Sequence, residues 1–164
     1  MEFDNFNDNN DSERLYQMGK NYYDNGSDTL AEKYLKEAAK SGNRNAVFIL
    51  ADIYLKYDKL NLAEKYLKKI ADGGDFQLQD KLGTVYKRKS NFELAEYYYK
   101  LAINNGYQKS RYNLGNLYYQ FNKKNLAVDY LKPAADERDQ EAQVLLAKIF
   151  YDNGQVDMAQ EYLY

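Results

Sequence analysis

The chain has no cysteine and no histidine, and it carries one proline in 164 residues. Without cysteine there is no disulfide, no zinc ribbon and no thiol nucleophile. Without histidine the commonest general base and the commonest metal ligand are missing together. No apolar run approaches the roughly 18 residues needed to span a bilayer, so no membrane partner is expected. Neither sign of charge dominates. Against 25 acidic side chains stand 23 basic ones, a net charge of −2 with pI near 5.3, which removes a general pull toward nucleic acid. The first eleven residues, 1–11, are acidic and lack the apolar stretch of a secretory signal. They read as a disordered acidic tail ahead of a domain at 12–164, and the location expected is cytoplasmic. Scarcity of proline favours long uninterrupted helices.

What the sequence does have is repetition. Ala31, Ala63, Ala95, Ala127 and Ala159 are spaced by 32 residues. So are Tyr34, Tyr66, Tyr98, Tyr130 and Tyr162, and so are Tyr22, Tyr54, Tyr86, Tyr118 and Phe150. A fourth column is Leu30, Leu62, Leu94, Leu126 and Met158. A fifth is Met18, Leu50, Leu82, Leu114 and Leu146, each followed by glycine or alanine. The unit boundaries predicted are 12–42, 43–74, 75–106, 107–138 and 139–164.

Each unit reads as two helices. Ala46, Leu50 and Tyr54 recur at i, i+4 and i+8 on the first, and Leu62, Ala63, Tyr66, Leu67 and Ile70 form the inward stripe of the second. Ser90 to Glu93 reads as a capping box, Asp58 and Asp75 as N-caps, and Gly42, Gly74 and Gly106 as left-handed helix ends. Ten helices are predicted, near 12–24, 28–41, 44–57, 59–72, 75–88, 91–104, 107–121, 123–136, 139–153 and 155–164. Small residues at the Gly19 column let paired helices approach closely. Pro133, in the last turn of a helix, is expected to bend it or end it early. Arg138 stands where other units have glycine, so that join is expected to be built differently.

The pattern Leu-Gly-x-x-Tyr followed by Ala-x-x-Tyr-Leu resembles tetratricopeptide repeats. The join Lys36 to Gly42, followed by Ala46 and Leu50, is more similar to Sel-one-like repeats. The 32-residue unit is thus a short hybrid, and the resemblance covers 12–164. It implies an all-α, right-handed α-solenoid of five stacked helix-turn-helix repeats, stabilised by stacking of neighbours.

The same resemblance implies a concave surface where extended peptides or helices dock, lined by a second stripe on each first helix. On that stripe lie Tyr16, Lys20 and Tyr23; Phe48, Asp52 and Leu55; Asp80, Thr84 and Lys87; Tyr112, Asn116 and Tyr119; and Val144, Lys148 and Tyr151. Tyrosine suits such a surface, because it combines large contact area, few torsions and a hydroxyl. The carboxylate clamp of chaperone-binding tetratricopeptide proteins is not reproduced: its first lysine is replaced by Tyr16, Phe48, Asp80, Tyr112 or Val144. Lys81, Lys87, Arg88 and Lys109 make the middle of the stripe basic, whereas Glu13, Asp24, Glu141 and Asp152 make both ends slightly acidic. The partner expected is a protein or peptide with an acidic central stretch.

Nothing points to catalysis, a metal or a cofactor. Glu32, Glu64, Glu96 and Asp129 sit beside lysines and read as a solvated face with ion pairs at i, i+3 and i+4. Lys87-Arg88-Lys89 with nearby tyrosines would offer RNA stacking and phosphate contacts, but the cluster does not recur, and nucleic acid is not expected. The function expected is a protein- or peptide-binding scaffold. The alternatives are a structural or oligomerisation module within a longer array, and a regulatory or immunity-type inhibitor of one protein. Self-association is expected through Met158, Tyr162 and Leu163 at the C-terminal edge.

Overall fold

The structure, a computed structural model, describes residues 5–163, with side chains from residue 10 onward. Among these residues it is all-helical: α1 (Asn5–Asp24), α2 (Asp28–Lys40), α3 (Arg44–Lys56), α4 (Leu60–Ala71), α5 (Phe76–Arg88), α6 (Phe92–Asn104), α7 (Ser110–Gln120), α8 (Lys124–Asp136), α9 (Gln140–Asp152) and α10 (Val156–Glu161). The chain divides into two compact units, residues 1–85 and 86–164. No helix among the described residues is long and apolar enough to cross a membrane.

In the first unit α1 packs on α2, α2 on α3 and α3 on α4, and α1 also reaches α3. In the second unit α6 packs on α7, α7 on α8, α8 on α9 and α9 on α10, and α7 reaches α9. Consecutive antiparallel helices thus pair, and alternate ones touch, as in an array of helix hairpins. The pairing follows from side-chain size. A Cβ added at Gly19 would lie 2.6 Å from Leu35 Cγ, and one added at Gly115 would lie 2.6 Å from Leu131 Cγ. Leu35 and Leu131 are fully buried beneath those glycines, each burial favourable by about 1.5–3 kcal/mol. Wider gaps are filled by paired rings, Tyr22 on Tyr34 at 5.4 Å and Tyr54 on Tyr66 at 5.8 Å in the first unit. Tyr86 on Tyr98 at 5.5 Å, Tyr118 on Tyr130 at 5.6 Å and Phe150 on Tyr162 at 6.0 Å fill them in the second.

The turns repeat with the same step. Gly26, Asp58, Ser90, Asn122 and Gly154 have positive φ, and so do Gly42, Gly74, Gly106 and Arg138. Within each series the residues are 32 apart. After the first kind of turn the next amide donates back to the tyrosine column: Lys59 N to Tyr54 O at 2.8 Å, and Lys123 N to Tyr118 O at 2.9 Å. These 6→1 bonds satisfy carbonyls that a helix end would otherwise orphan.

Several local expectations are corrected. Asp58 and Ser90 are not N-caps but occupy the left-handed turn position (φ 55° and 57°). The cap of α6 is Asn91, whose side chain accepts from Leu94 N, whereas Asp75 does cap, accepting from Gln77 N and Leu78 N at 3.1 and 3.0 Å. Pro133 lies inside α8 without ending it, for the helix runs on to Asp136. Arg138 adopts φ 68°, and its turn makes the same bonds as the glycine turns. Arg138 N donates to Ala135 O at 3.0 Å and Asp139 N to Ala134 O at 3.0 Å, as Gly42 N does to Ala39 O and Asn43 N to Ala38 O. That join is therefore built alike.

α1 begins at Asn5 rather than near residue 12, so helical backbone extends into the expected tail; residues 1–4 of that tail lie outside the described residues. The carboxylate column ends at Glu96, because Val128 and not Asp129 is 32 residues on. The leucine column attributed to the inward stripe is half-solvated: Leu30, Leu94, Leu126 and Met158 are 36–44% exposed. Those residues lie in the first turn of the second helix of each hairpin.

Candidate functional site

The second stripe on the first helices is accessible along its described length. In the first unit Tyr16, Lys20 and Tyr23 on α1, and Phe48, Asp52 and Leu55 on α3, are all half-buried. In the second unit Tyr112, Asn116 and Tyr119 on α7 are half-buried, while Val144, Lys148 and Tyr151 on α9 are exposed. None of these side chains belongs to the Tyr22 and Tyr34 columns that stack between paired helices.

Two of the expected cations are engaged with the fold. Lys81 Nζ pairs with Asp52 and sits 3.9 Å from the Phe48 ring centroid. Lys20 Nζ pairs with Asp24 at 2.6 Å. Lys87 is half-buried, whereas Arg88 and Lys109 are exposed. Lys148 Nζ lies 5.5 Å from the Tyr119 ring centroid. Of the expected edge, Met158 and Leu163 are exposed and Tyr162 is half-buried against Phe150.

Each unit holds a hollow on this stripe. The first, of about 220 Å³, is lined by Tyr16, Arg44, Asn45, Phe48, Ile49 and Gln77. The second, of about 430 Å³, is lined by Tyr112, Gln140, Glu141, Val144, Leu145 and Lys148. Adding 96, three periods, to Tyr16, Arg44, Asn45, Phe48 and Ile49 gives Tyr112, Gln140, Glu141, Val144 and Leu145. The two are thus one register site furnished differently. In the first, the Arg44 guanidinium bonds Asp75, at 3.2 Å from Nη2 to Oδ1, and reaches Gln77 Oε1 at 2.5 Å. In the second, Gln140 and Glu141 replace arginine and asparagine. Burial raises the Tyr112 hydroxyl pKa, and the negative charges of Glu141 and Asp139 raise it further.

The sequence reading missed the contacts that tie one hairpin to the next. Asp28, 6% exposed, receives Lys56 Nζ at 2.6 Å and the Tyr57 hydroxyl at 2.9 Å. These bonds, first Lys56 and then Tyr57, hold its carboxyl below the ordinary carboxylate range. Phe92 meets Phe121 at 4.5 Å, with Lys123 Nζ 4.3 Å from the Phe92 ring centroid. Their signal is a separation of 28–31 residues, slightly short of the repeat. Among the described residues no cluster of three carboxylates stands ready to hold a metal. Glu32 and Glu96 are each tied to a lysine and a tyrosine hydroxyl.

Residues 108–136 match the tetratricopeptide repeat family. No curated protein matches the sequence. Among solved structures, MamA 41-end from Desulfovibrio magneticus RS-1 is 15% identical at TM-score 0.76, covering 93% of this chain and 91% of that one. A thermophilic tetratricopeptide protein of Thermus thermophilus is 21% identical at TM-score 0.69, covering 92% and 87%. A Sel1 repeat protein from Oxalobacter formigenes is 24% identical at TM-score 0.72, covering 92% and 68%. At these identities the likeness establishes the fold.

Proposed function

We propose, from the premise that the chain is a tetratricopeptide- and Sel-one-like helical-repeat protein, that it is a non-catalytic scaffold binding a protein or peptide along its first-helix faces. The observation that carries this reading is the accessible aromatic stripe, Tyr16, Tyr23 and Phe48 in one unit and Tyr112, Tyr119 and Tyr151 in the other. The fold does not need these rings for stacking, since the paired tyrosines already fill the gaps between helices. Large amphipathic side chains that stay accessible are the usual anchors of an interface.

A scaffold without catalysis agrees with a chain lacking histidine and cysteine. A cytoplasmic location and an acidic stretch in the partner belong to the same proposal; exposed Arg88 and Lys109 support the second. The test is capture from native lysate on the full chain and on Tyr112→Ala/Tyr119→Ala, with far-UV circular dichroism as the folding control. A specific partner lost from the variant at unchanged helicity supports the reading. Equal capture by both moves the site off this face.

A second reading is favoured by one observation. Leu35, Leu67, Tyr99 and Leu131 are fully buried, whereas Leu163, the next residue in that column, is 57% exposed. This side chain is apolar and is buried at every earlier step, so a further repeat or a second copy would cover it, making the chain a module of a larger assembly.

A further inference from the structure

The hollow between α7 and α9 differs from its register counterpart in charge and size, and the differences select a ligand group. Its floor is aliphatic: Val144 is 61% exposed and Leu145 is half-buried beside it. One wall is the half-buried Tyr112 ring. At one end stands Glu141, and among the described residues no cation pairs with it. The neighbouring carboxylate, Asp139, is already engaged, accepting from Ala142 N at 2.9 Å to cap α9. Lys148 does not neutralise the Glu141 end. It follows by seven residues, roughly 10 Å along the helix, and its ammonium lies by the Tyr119 ring. The counterpart hollow has Arg44, already paired with Asp75, and Asn45 where this one has Gln140 and Glu141, so the second hollow gains a carboxylate without a partner, with Lys148 at its far end.

An aliphatic floor, an aromatic face and an unpaired carboxylate in one concavity are the complement of a long side chain that ends in a cation. We propose that this hollow is a pocket for a lysine or arginine side chain of the bound peptide, with its methylene stem along Val144 and Leu145 and its charged end between the Tyr112 ring and the Glu141 carboxylate. The proposal rests on the peptide-binding reading above and specifies one residue class in the ligand. It also separates the two register sites, because the hollow in the first unit has no carboxylate in its lining and Asp75 beside it is already paired with Arg44.

The probe is a set of randomised peptides with one fixed central residue: arginine, lysine, citrulline, norleucine or glutamate. Citrulline keeps the shape of arginine and norleucine the stem of lysine, each without charge. Binding is measured on the full chain and on Glu141→Gln, with methyl NMR shifts at Val144 and Leu145 to locate the contact. The expected result is that arginine and lysine pools bind about tenfold tighter than citrulline and norleucine pools. Val144 and Leu145 should shift, and the preference should collapse in Glu141→Gln. The comparison of pools on the parent chain and the shift map need no variant, so they decide even where that substitution disturbs folding. Equal or tighter binding of norleucine, or a win for glutamate, overturns the pocket and leaves the scaffold reading standing. A cation preference that survives Glu141→Gln, or that shifts neither methyl residue, places the recognition elsewhere and also overturns it. Absence of binding by every pool removes the peptide-binding reading itself, and this inference with it.

Discussion

The hydroxyl of Tyr118 donates to the carboxylate of Glu96 at 2.8 Å, and one turn along α6 Lys100 Nζ meets the same oxygen at 2.6 Å. Tyr54 and Glu32 repeat the arrangement at 3.1 Å. One period beyond Glu96 and Tyr118 stand Val128 and Phe150, so the carboxylate and the hydroxyl disappear together. That joint loss fits a part-buried bond in which Tyr118, 1% exposed, would be left without its acceptor if the carboxylate went alone.

Tyr118→Phe is therefore expected to cost about 1.5–3 kcal/mol, the range for a hydrogen bond to a charged group. Glu96→Val alone should also be costly, because it leaves the buried Tyr118 hydroxyl without its acceptor. The double variant, which copies the Val128 and Phe150 pair, should recover part of the sum. Urea denaturation of the four proteins measures the coupling. Strictly additive losses would mean that the bond contributes nothing beyond its separate ends.

The same carboxylates set an acid limit. Burial works to raise the pKa of Glu96 and Glu32, but bonds from Lys100 and Tyr118, and from Lys36 and Tyr54, hold both below the ordinary 4.5. Asp28 is likewise held below 3.8 by Lys56 and Tyr57. A group whose pKa is lower folded than unfolded stabilises the fold above its unfolded value and loses that contribution as pH falls through the folded one. The urea midpoint should therefore be insensitive to these groups near neutrality and fall progressively below about pH 4.5. Glu96→Gln should make that fall shallower. A midpoint that drops with equal steepness in the variant would assign the acid sensitivity to other groups.

Arg138 should be a stabilisation site. Its φ of 68° is the conformation that Gly42, Gly74 and Gly106 take in the equivalent turns, and a side chain there costs about 1–2 kcal/mol. Glycine removes that strain but adds unfolded-state entropy, leaving a net gain of about 0.5–1 kcal/mol. Arg138→Gly should raise the melting temperature by about 1–4 °C, whereas Gly106→Arg should lower it. A lower melting temperature for Arg138→Gly would show that the arginine side chain makes a contact that outweighs its backbone strain.

The hairpin array was legible because alanine, leucine and tyrosine columns, at a step matched by the left-handed turns, leave little choice of pairing. The residues of the second stripe could be picked out too, since they fall outside those columns, and their role remains a proposal. What comparison at a step of 32 hides is the contact between hairpins. Asp52 with Lys81, Phe92 with Phe121 and Lys124 with Asn153 are each 29 residues apart, because neighbouring helices are offset along their axes. The stripe's charge was misjudged for that reason: Lys81 counts as a free cation in sequence but faces Asp52 in the fold. Residues such as Arg138 escaped because composition reports glycine preference, while hydrogen bonding around the turn can impose the same φ on another side chain.

Leu163 offers a test of assembly that is independent of the peptide face. Its column is fully buried at Leu35, Leu67, Tyr99 and Leu131, while Leu163 itself is 57% exposed and follows the short helix α10. Beneath that column lie the small residues of the first helices, and Ala147 at the corresponding position is 3% exposed. Ala147 is thus covered, while Leu163 stays largely solvated. With Val156, seven residues earlier and 45% exposed, Leu163 leaves apolar surface from which two copies would gain by excluding water. Light scattering behind size exclusion at tens of micromolar should show a mass that rises with concentration for the parent chain. Leu163→Lys should abolish the rise without altering helicity, since burying an unpaired ammonium at the contact is costly. A parent that stays monomeric over that range would show that the edge does not drive self-association.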